Sequence, residues 1–166
     1  GRIAILLGVS SKTSRFVQEN GDRALRIEFV IPSIPVAQPR QRHALIAGHV
    51  RNYTPGKHPV NAFKAACQLA ASQVYQGPVL DCPLRMDLVF VFPRPASVPK
   101  KFGTGRLPHS CKPDRDNVMK SLQDALEGIL FRNDSLICDG RVQKFKAAVG
   151  EHAHVEVVVT DMGLFQ

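Results

Sequence analysis

The sequence predicts an α+β fold, with a mixed, largely antiparallel sheet and two main helices. Several short segments alternate apolar and polar side chains, which is the period of a half-buried strand. Two longer segments, 58–74 and 114–128, repeat their apolar residues with the period of a helix. The chain has 166 residues, of which 44% are hydrophobic and 22% charged, enough for one domain with a real core.

The first predicted elements surround a basic loop. Residues 25–31, LRIEFVI, alternate apolar and polar side chains and predict a strand. Residues 32–42 contain three prolines and two arginines, which favour an extended basic loop. Residues 43–55 predict a hairpin that turns near Gly48.

A helix and a buried strand come next. Residues 58–74 are rich in alanine, and Pro59 suits the first turn of a helix. Residues 84–92, LRMDLVFVF, predict a strand. Its apolar residues share one face: Leu84, Met86, Leu88, Phe90 and Phe92.

Residues 93–113 are rich in proline, glycine and lysine and predict a long irregular segment, which inside a domain is usually functional or disordered. The second helix is predicted over 114–128, with Asp114 suited to its N-cap and Gly128 to its end. Strands are predicted at 141–149 and 154–161. The buried face of the second helix is expected to carry Val118, Leu122, Ala125, Leu126 and Ile129.

We expect a single domain over residues 24–166. Residues 1–23 are expected to be an N-terminal extension, either poorly ordered or introduced by cloning. No apolar run reaches the roughly 18–20 residues that span a bilayer, so no membrane partner is expected. The four cysteines are widely spaced, without a pair typical of structural zinc, which favours free thiols and a cytoplasmic location.

Positive charge is concentrated in the middle of the chain. The net charge is +8, but residues 29–113 hold eleven lysines and arginines against two acids, Asp81 and Asp87. This segment carries +9, and the rest of the chain carries −1. Such a segment fits a polyanionic partner, of which nucleic acid is the commonest. A merely solvated basic face is the simpler alternative.

An acidic helix begins where the basic segment ends. Asp114 and Asp116 stand at its start, Lys120 lies one turn later, and Asp134 follows it. A structural explanation is a helix-dipole effect of about 0.3–1 kcal/mol, with an Asp116–Lys120 pair worth about 0.2–0.5 kcal/mol. A functional explanation is a Mg²⁺ site for phosphodiester cleavage, because carboxylate oxygens suit this cation. Three aspartates that follow a basic, proline-rich loop favour the functional explanation.

The motif KPDRDNVMKSLQDALEG at 112–128, followed by NDSLI at 133–137, resembles the central motif of the RusA family of Holliday-junction resolvases. The segments PVAQPRQR…RNYTP (35–55) and FPRPASVPKK (92–101) are similar to the basic loops of that family. The resemblance covers residues 25–161. It implies a RusA-like, homodimeric fold and a metal-dependent endodeoxyribonuclease that acts on branched DNA, the four-way junction, in recombination and repair.

The resemblance also implies roles for residues. Asp114, Asp116 and Asp134 would bind the metal and take part in catalysis, and Lys120 would be the catalytic lysine. The implied cofactor is Mg²⁺, for which Mn²⁺ would substitute, with no small-molecule cofactor. The source would be a bacterium or its prophage. The basic residues predicted to bind DNA are Arg40, Arg42, Arg51, Lys100, Lys101, Arg106 and Lys112.

Asn133 departs from the family pattern, which has two adjacent acids where this chain has Asn133 and Asp134. Metal binding would be weaker if Asn133 lay at the metal, whereas little would change if it only shaped a turn. An alternative function is therefore a junction-binding protein with weak or no cleavage. A structural or interaction domain whose charge pattern is coincidental is a third and less favoured alternative.

Overall fold

A seven-stranded sheet carries two helices in the computed structural model, which describes the backbone of residues 13–19, 22–39, 42–46, 49–53 and 58–163. Side chains are described for residues 25–39, 58–99 and 101–163. The strands are β1 (Thr13–Glu19), β2 (Asp22–Ile31), β3 (Arg42–Ile46), β4 (His49–Tyr53), β5 (Leu84–Phe92), β6 (Leu107–Pro108), β7 (Ile137–Asp139), β8 (Val142–Lys146) and β9 (His154–Asp161). The helices are α1 (Pro59–Val74) and α2 (Arg115–Leu126), with short 3-10 turns at Lys100–Phe102 and Asp134–Leu136.

The main sheet is mixed and largely antiparallel, as the sequence predicts. Its strand order is β1-β2-β9-β5-β8-β6, and β7 pairs with the start of β5. Only β7 and β8 run parallel to β5 among the pairs described, and the others are antiparallel. The hairpin predicted over 43–55 forms as β3 and β4, a separate two-stranded sheet. Its turn at Gly48 lies outside the described residues.

Both helices pack on one face of the main sheet and share its hydrophobic core. The five apolar residues of β5 that the sequence places on one face are all buried. They join apolar side chains of β2, β9, α1 and α2 in a single cluster. Each large aliphatic or aromatic side chain buried there contributes about 1.5–3 kcal/mol relative to exposure. The core therefore fixes α2 against the sheet.

The helix boundaries match the predicted ones closely. His58 caps α1, because its Nδ1 accepts a hydrogen bond from the Val60 N–H at 3.2 Å, and Pro59 follows in the first turn. Helix α2 ends before Gly128, whose φ of +76° is the left-handed conformation that suits a glycine after a helix. The buried face of α2 includes Ser121, which the sequence did not predict, whereas Ile129 is only partly buried.

The segment 93–113 is mostly irregular, as predicted, but its backbone is fixed by one side chain. The Arg94 guanidinium donates hydrogen bonds to the carbonyl oxygens of Gly103 at 2.7 Å, Gly105 at 2.9 Å and Ala147 at 3.2 Å. A guanidinium is planar and offers five donors, so it can hold several carbonyls at once. Arg94 is thus a structural residue, although it lies in a basic segment that is expected to bind DNA.

Two predicted strands have different boundaries in the structure. Strand β2 begins at Asp22, three residues before the predicted start. The strand predicted over 141–149 ends at Lys146, because the chain then turns away towards Gly150, whose φ is +81°. Gly140 separates β7 from β8, and a Cβ there would lie 1.9 Å from the Met86 carbonyl oxygen, so no side chain fits. Strand β9 matches its predicted range.

The N-terminal boundary at residue 24 stays a prediction, although the β1–β2 hairpin crosses it. The cysteines are unpaired, as predicted. Within the part of the chain that the structure describes, neither helix is both long and apolar enough to cross a membrane.

Candidate functional site

The start of α2 presents two carboxylates to solvent. Asp114 occupies the N-cap position in an extended conformation, but its side chain makes no capping hydrogen bond. Asp116 lies in the first turn, and both residues are exposed. The helix dipole favours negative charge at this end. The sequence suggests Asp114 as a helix cap, but its carboxylate accepts no hydrogen bond from the helix backbone and stays available to other partners.

The segment before α2 is attached to β8. The Lys144 ammonium donates hydrogen bonds to the carbonyl oxygens of Cys111, at 2.9 Å, and Pro113. The His109 N–H donates to the Lys144 carbonyl oxygen at 3.1 Å. These contacts fix the chain immediately before Asp114.

The proline-rich loop after β2 is also attached to α2. The buried hydroxyl of Ser121 donates hydrogen bonds to the carbonyl oxygens of Val36 and, within the helix, Val118. The Gln38 N–H donates to the Asn117 carbonyl oxygen at 3.2 Å. The loop that leads to Arg40 therefore runs beside the acidic helix.

Lys120 pairs with a different aspartate from the one considered in the sequence. Its Nζ lies 3.6 Å from Asp124 Oδ1, one turn further along α2, and no Asp116–Lys120 pair occurs between these described side chains. The other oxygen of Asp124 lies 3.4 Å from Lys64 Nζ on α1. Lys120 remains 59% exposed, so its ammonium is still accessible to a ligand in solvent.

Asn133 caps the 3-10 turn that contains Asp134. Its Oδ1 accepts a hydrogen bond from the Ser135 N–H at 2.9 Å, which is the local turn that asparagine and aspartate both form. This contact supports the turn explanation for Asn133. Asp134 follows directly and is partly exposed.

The three motif aspartates share one property. Among the described side chains, the carboxylates of Asp114, Asp116 and Asp134 have no hydrogen-bond or ion-pair partner. Apart from Glu127, the other described acids each have one: Glu28, Asp81, Asp87, Asp124, Asp139, Glu151, Glu156 and Asp161. Hard carboxylate oxygens without protein donors fit a hydrated divalent cation that few residues hold.

The aspartates do not form a compact ligand cluster. No group of three or more His, Cys, Asp or Glu side chains within the described ranges lies close enough to hold a metal ion. The structure thus brings Asp114 and Asp116 together at the start of α2 and places Asp134 on a separate turn. The metal roles of these residues stay a prediction.

The predicted DNA-binding residues divide into three groups. Arg106 is held in ion pairs with Glu151 and Glu156, each at 2.6 Å, so its charge is compensated. Lys101 lies 5.3 Å from the centre of the Phe102 ring, and Lys112 is exposed without a partner among the described residues. The remainder lie outside the described side chains: Arg40, Arg42, Arg51 and Lys100.

A concavity of about 1010 Å³ lies at another part of the molecule, between the segments 32–34, 93–99 and 148–153. None of the motif aspartates lines it. The candidate site is therefore the open surface at the start of α2 and not this cavity.

Comparisons with known proteins agree with the motif. The family model of endodeoxyribonuclease RusA matches residues 32–160. A Bacillus subtilis (strain 168) protein named "Uncharacterized protein YqaN" is 33% identical over 142 residues, which cover 82% of this chain and 96% of the relative. The matched region contains all of β5 to β8, α1 and α2 and both parts of the acidic motif. The chain belongs to the RusA endodeoxyribonuclease family.

Proposed function

We propose that the protein is a divalent-metal-dependent endonuclease that cleaves four-way (Holliday) DNA junctions in recombination and repair. The observation that carries the proposal is the set of unpartnered carboxylates. Asp114, Asp116 and Asp134 have no protein partner among the described residues, while almost every other described acid has one. An unpaired carboxylate that solvent reaches remains available to a cation. Three such residues within the family motif support a metal-binding role.

Asp114, Asp116 and Asp134 would hold the cation, which we propose is Mg²⁺, with Mn²⁺ able to replace it. When bound, such a cation activates a water molecule and neutralises charge on the phosphate. Lys120, exposed and one turn beyond Asp116 on α2, would contact the scissile phosphate or stabilise the departing oxygen. Asp124 would orient Lys120 through their 3.6 Å contact.

Acids alone would repel DNA, so the proposal also needs cations near the aspartates. Lys112 stands two residues before Asp114 and is exposed. The proline-rich loop that leads to Arg40 is bonded to α2 through Ser121. These positions support DNA contacts by Lys112 and by the basic loop, together with Arg42, Arg51, Lys100 and Lys101. Arg106 contributes less in this proposal, because two glutamates already neutralise it.

We further propose that the active form is a homodimer in a bacterial cytoplasm, encoded by the chromosome or a prophage. A four-way junction offers two-fold symmetry, and its resolution needs two cuts. A dimer with closed two-fold symmetry carries two sites in matching orientation.

The test is cleavage of a synthetic four-way junction in Mg²⁺ and in EDTA, with a linear duplex of the same arm sequence as the control substrate. We expect paired cuts in the junction that need Mg²⁺ and few cuts in the duplex. Equal cutting of both substrates would contradict junction specificity, and cutting in EDTA would contradict the metal role.

A second candidate function is junction binding with weak or no cleavage. One observation favours it: no three potential metal ligands converge within the ranges that the structure describes. The same assay separates the candidates when junction affinity is measured in parallel. Tight binding without Mg²⁺-dependent cuts would favour the second candidate, and absence of both would favour a purely structural domain.

A further inference from the structure

Lys144 connects the sheet to the chain just before the acidic helix. The residue lies on β8, and its Nζ donates hydrogen bonds to the carbonyl oxygens of Cys111, at 2.9 Å, and Pro113. Pro113 directly precedes Asp114, the N-cap of α2. An ammonium has three donors, so one side chain holds both ends of a three-residue segment.

Lys144 is itself held in place. In the parallel pairing of β8 with β5, it stands opposite Phe90. Its ammonium lies 6.0 Å from the centre of the Phe92 ring, within the range of a cation–π contact. The Lys144 carbonyl oxygen accepts the His109 N–H, and the His109 ring stacks on Phe92 at 4.3 Å. Backbone and side chain of Lys144 thus fix both the start and the end of the segment 109–113.

The consequence concerns the carboxylates at the start of α2. Asp114 makes no side-chain capping bond, so the first turn of the helix lacks the contact that usually fixes an N-terminus. The carbonyls held by Lys144 are the attachment nearest to Asp114 on its N-terminal side. Small displacements of catalytic groups reduce rates strongly, and residues behind metal ligands commonly set their orientation.

We propose that Lys144 is a positioning residue of the nuclease site: it fixes the segment Cys111–Pro113 and thereby sets the positions of the Asp114 and Asp116 carboxylates. The inference rests on the proposed metal-dependent nuclease function. Lys144 acts through the backbone in this assignment and is not itself a metal ligand or a catalytic group.

Strand β8 supplies a matched control. Lys146 stands two residues after Lys144, and its side chain has no hydrogen bond or ion pair with another described residue. Substituting Lys146 removes the same charge from the same strand without breaking a contact to the segment 111–113. The difference between the two variants therefore isolates the carbonyl contacts from the loss of one positive charge.

The experiment compares Lys144→Met, Lys144→Arg and Lys146→Met with the wild type in two measurements. Hydrogen exchange, resolved by peptide, reports the backbone of residues 109–118. Binding of Mn²⁺, followed by the electron paramagnetic resonance of the free ion, reports the carboxylates without requiring cleavage. Junction affinity in EDTA is measured alongside, because a merely destabilised protein would lose it too.

We expect Lys144→Met to speed exchange in 109–118 but not in α1, and to weaken Mn²⁺ binding by about 10- to 100-fold, the range for residues behind metal ligands. Junction affinity in EDTA should stay close to that of the wild type. Lys144→Arg should recover part of the Mn²⁺ affinity, because a guanidinium can also donate to two carbonyls. Lys146→Met should change neither exchange nor Mn²⁺ binding.

Unchanged exchange in Lys144→Met would overturn the inference, as would faster exchange with unchanged Mn²⁺ affinity. Equal losses in Lys146→Met would overturn it too, since charge alone would then explain the effect. Wild-type protein that binds no Mn²⁺ would reject the proposed metal chemistry and, with it, the role of Lys144 in that chemistry. Hydrogen exchange separates the two cases, because faster exchange of residues 109–118 in Lys144→Met would still show that Lys144 fixes this segment even if the wild type bound no Mn²⁺.

Discussion

Lys64 and Asp124 join the two helices: the ammonium on α1 lies 3.4 Å from the carboxylate on α2. Both side chains are only 25% exposed, so salt screens this pair less than a pair on open surface. The same carboxylate lies 3.6 Å from Lys120. Asp124 thus links α1 to Lys120, the proposed catalytic lysine.

Replacing Asp124 by Asn should lower the free energy of unfolding by about 1 kcal/mol, the upper end for exposed ion pairs, because this pair is partly buried. It should also reduce junction cleavage, since Lys120 loses its neighbour. Urea unfolding of Asp124→Asn, Lys64→Met and the double variant measures the coupling between the two residues. Strictly additive losses would mean that the 3.4 Å contact does not couple them.

Asp116→Asn should abolish junction cleavage while leaving junction binding unchanged or tighter. The carboxylate is exposed and unpartnered among the described residues, so its loss removes the proposed metal ligand and a charge that repels phosphate, without breaking a protein contact. We expect the rate to fall by more than about 100-fold, beyond the range for residues that only support a ligand. Glu127→Gln, on an exposed carboxylate just after the same helix, is the matched control. A cleavage rate near wild type in Mg²⁺ would remove Asp116 from the metal site.

The salt dependence of junction binding should distinguish basic side chains that are paired with acids from basic side chains that are not. Junction affinity should fall steeply with salt, and each phosphate contact should contribute about 0.9 to the slope of log K against log salt. Lys112→Gln should reduce the slope by about one contact. Arg106→Gln should leave it nearly unchanged, because Glu151 and Glu156 already pair with Arg106. A reduced slope in Arg106→Gln alone would show that this arginine leaves its glutamates for DNA.

The same cluster predicts a pH dependence of stability. Hydrogen bonds from Arg106 lower the pKa of Glu151 below its usual 4.5. Burial would raise the pKa of Glu156, but hydrogen bonds from Arg106 and His154 outweigh it and lower that pKa as well. A lowered folded-state pKa gives stability that is present above pH 4.5 and lost as the pH falls through the folded-state value. Glu151→Gln should therefore flatten the acid limb of stability against pH, which urea unfolding at a series of pH values measures.

The strands and helices of the core could be predicted from the sequence, because each is encoded locally. The apolar alternation of 84–92 needs only neighbouring residues to indicate a buried strand, and β5 confirms it. Pro59 and Gly128 mark helix ends by their own backbone preferences, and both predictions hold. The strand predicted over 141–149 is too long, because nothing local indicates that pairing with β5 ends at Lys146.

The contacts around the candidate site could not be predicted in the same way. Lys144 and Cys111 are 33 positions apart, and Lys64 and Asp124 are 60 apart, so only the fold brings them together. Ser121 resembled an ordinary polar residue of a helix, yet it is buried against Val36. Arg106 resembled a DNA-binding residue because its segment is basic, while its partners Glu151 and Glu156 lie 45 and 50 positions further along the chain.

Asn133→Asp and Asp134→Asn should have different effects on junction cleavage. Asn133 Oδ1 accepts the Ser135 N–H at 2.9 Å, and an aspartate at that position can accept the same hydrogen bond. Asp134 has no partner among the described residues, so its charge is available to a cation.

In a Mg²⁺ titration of junction cleavage, we expect the Mg²⁺ requirement of Asn133→Asp to stay within about threefold of the wild type, as for most surface substitutions that keep their contacts. Asp134→Asn should be inactive at every Mg²⁺ concentration, because a higher concentration of the ion does not restore a lost ligand at the proposed site. Asn133→Ala, which removes the turn contact, should lower the thermal midpoint without shifting the Mg²⁺ requirement. The reverse ranking, with a large gain in Mg²⁺ affinity for Asn133→Asp and an active Asp134→Asn, would place Asn133 at the metal and leave Asp134 to the turn.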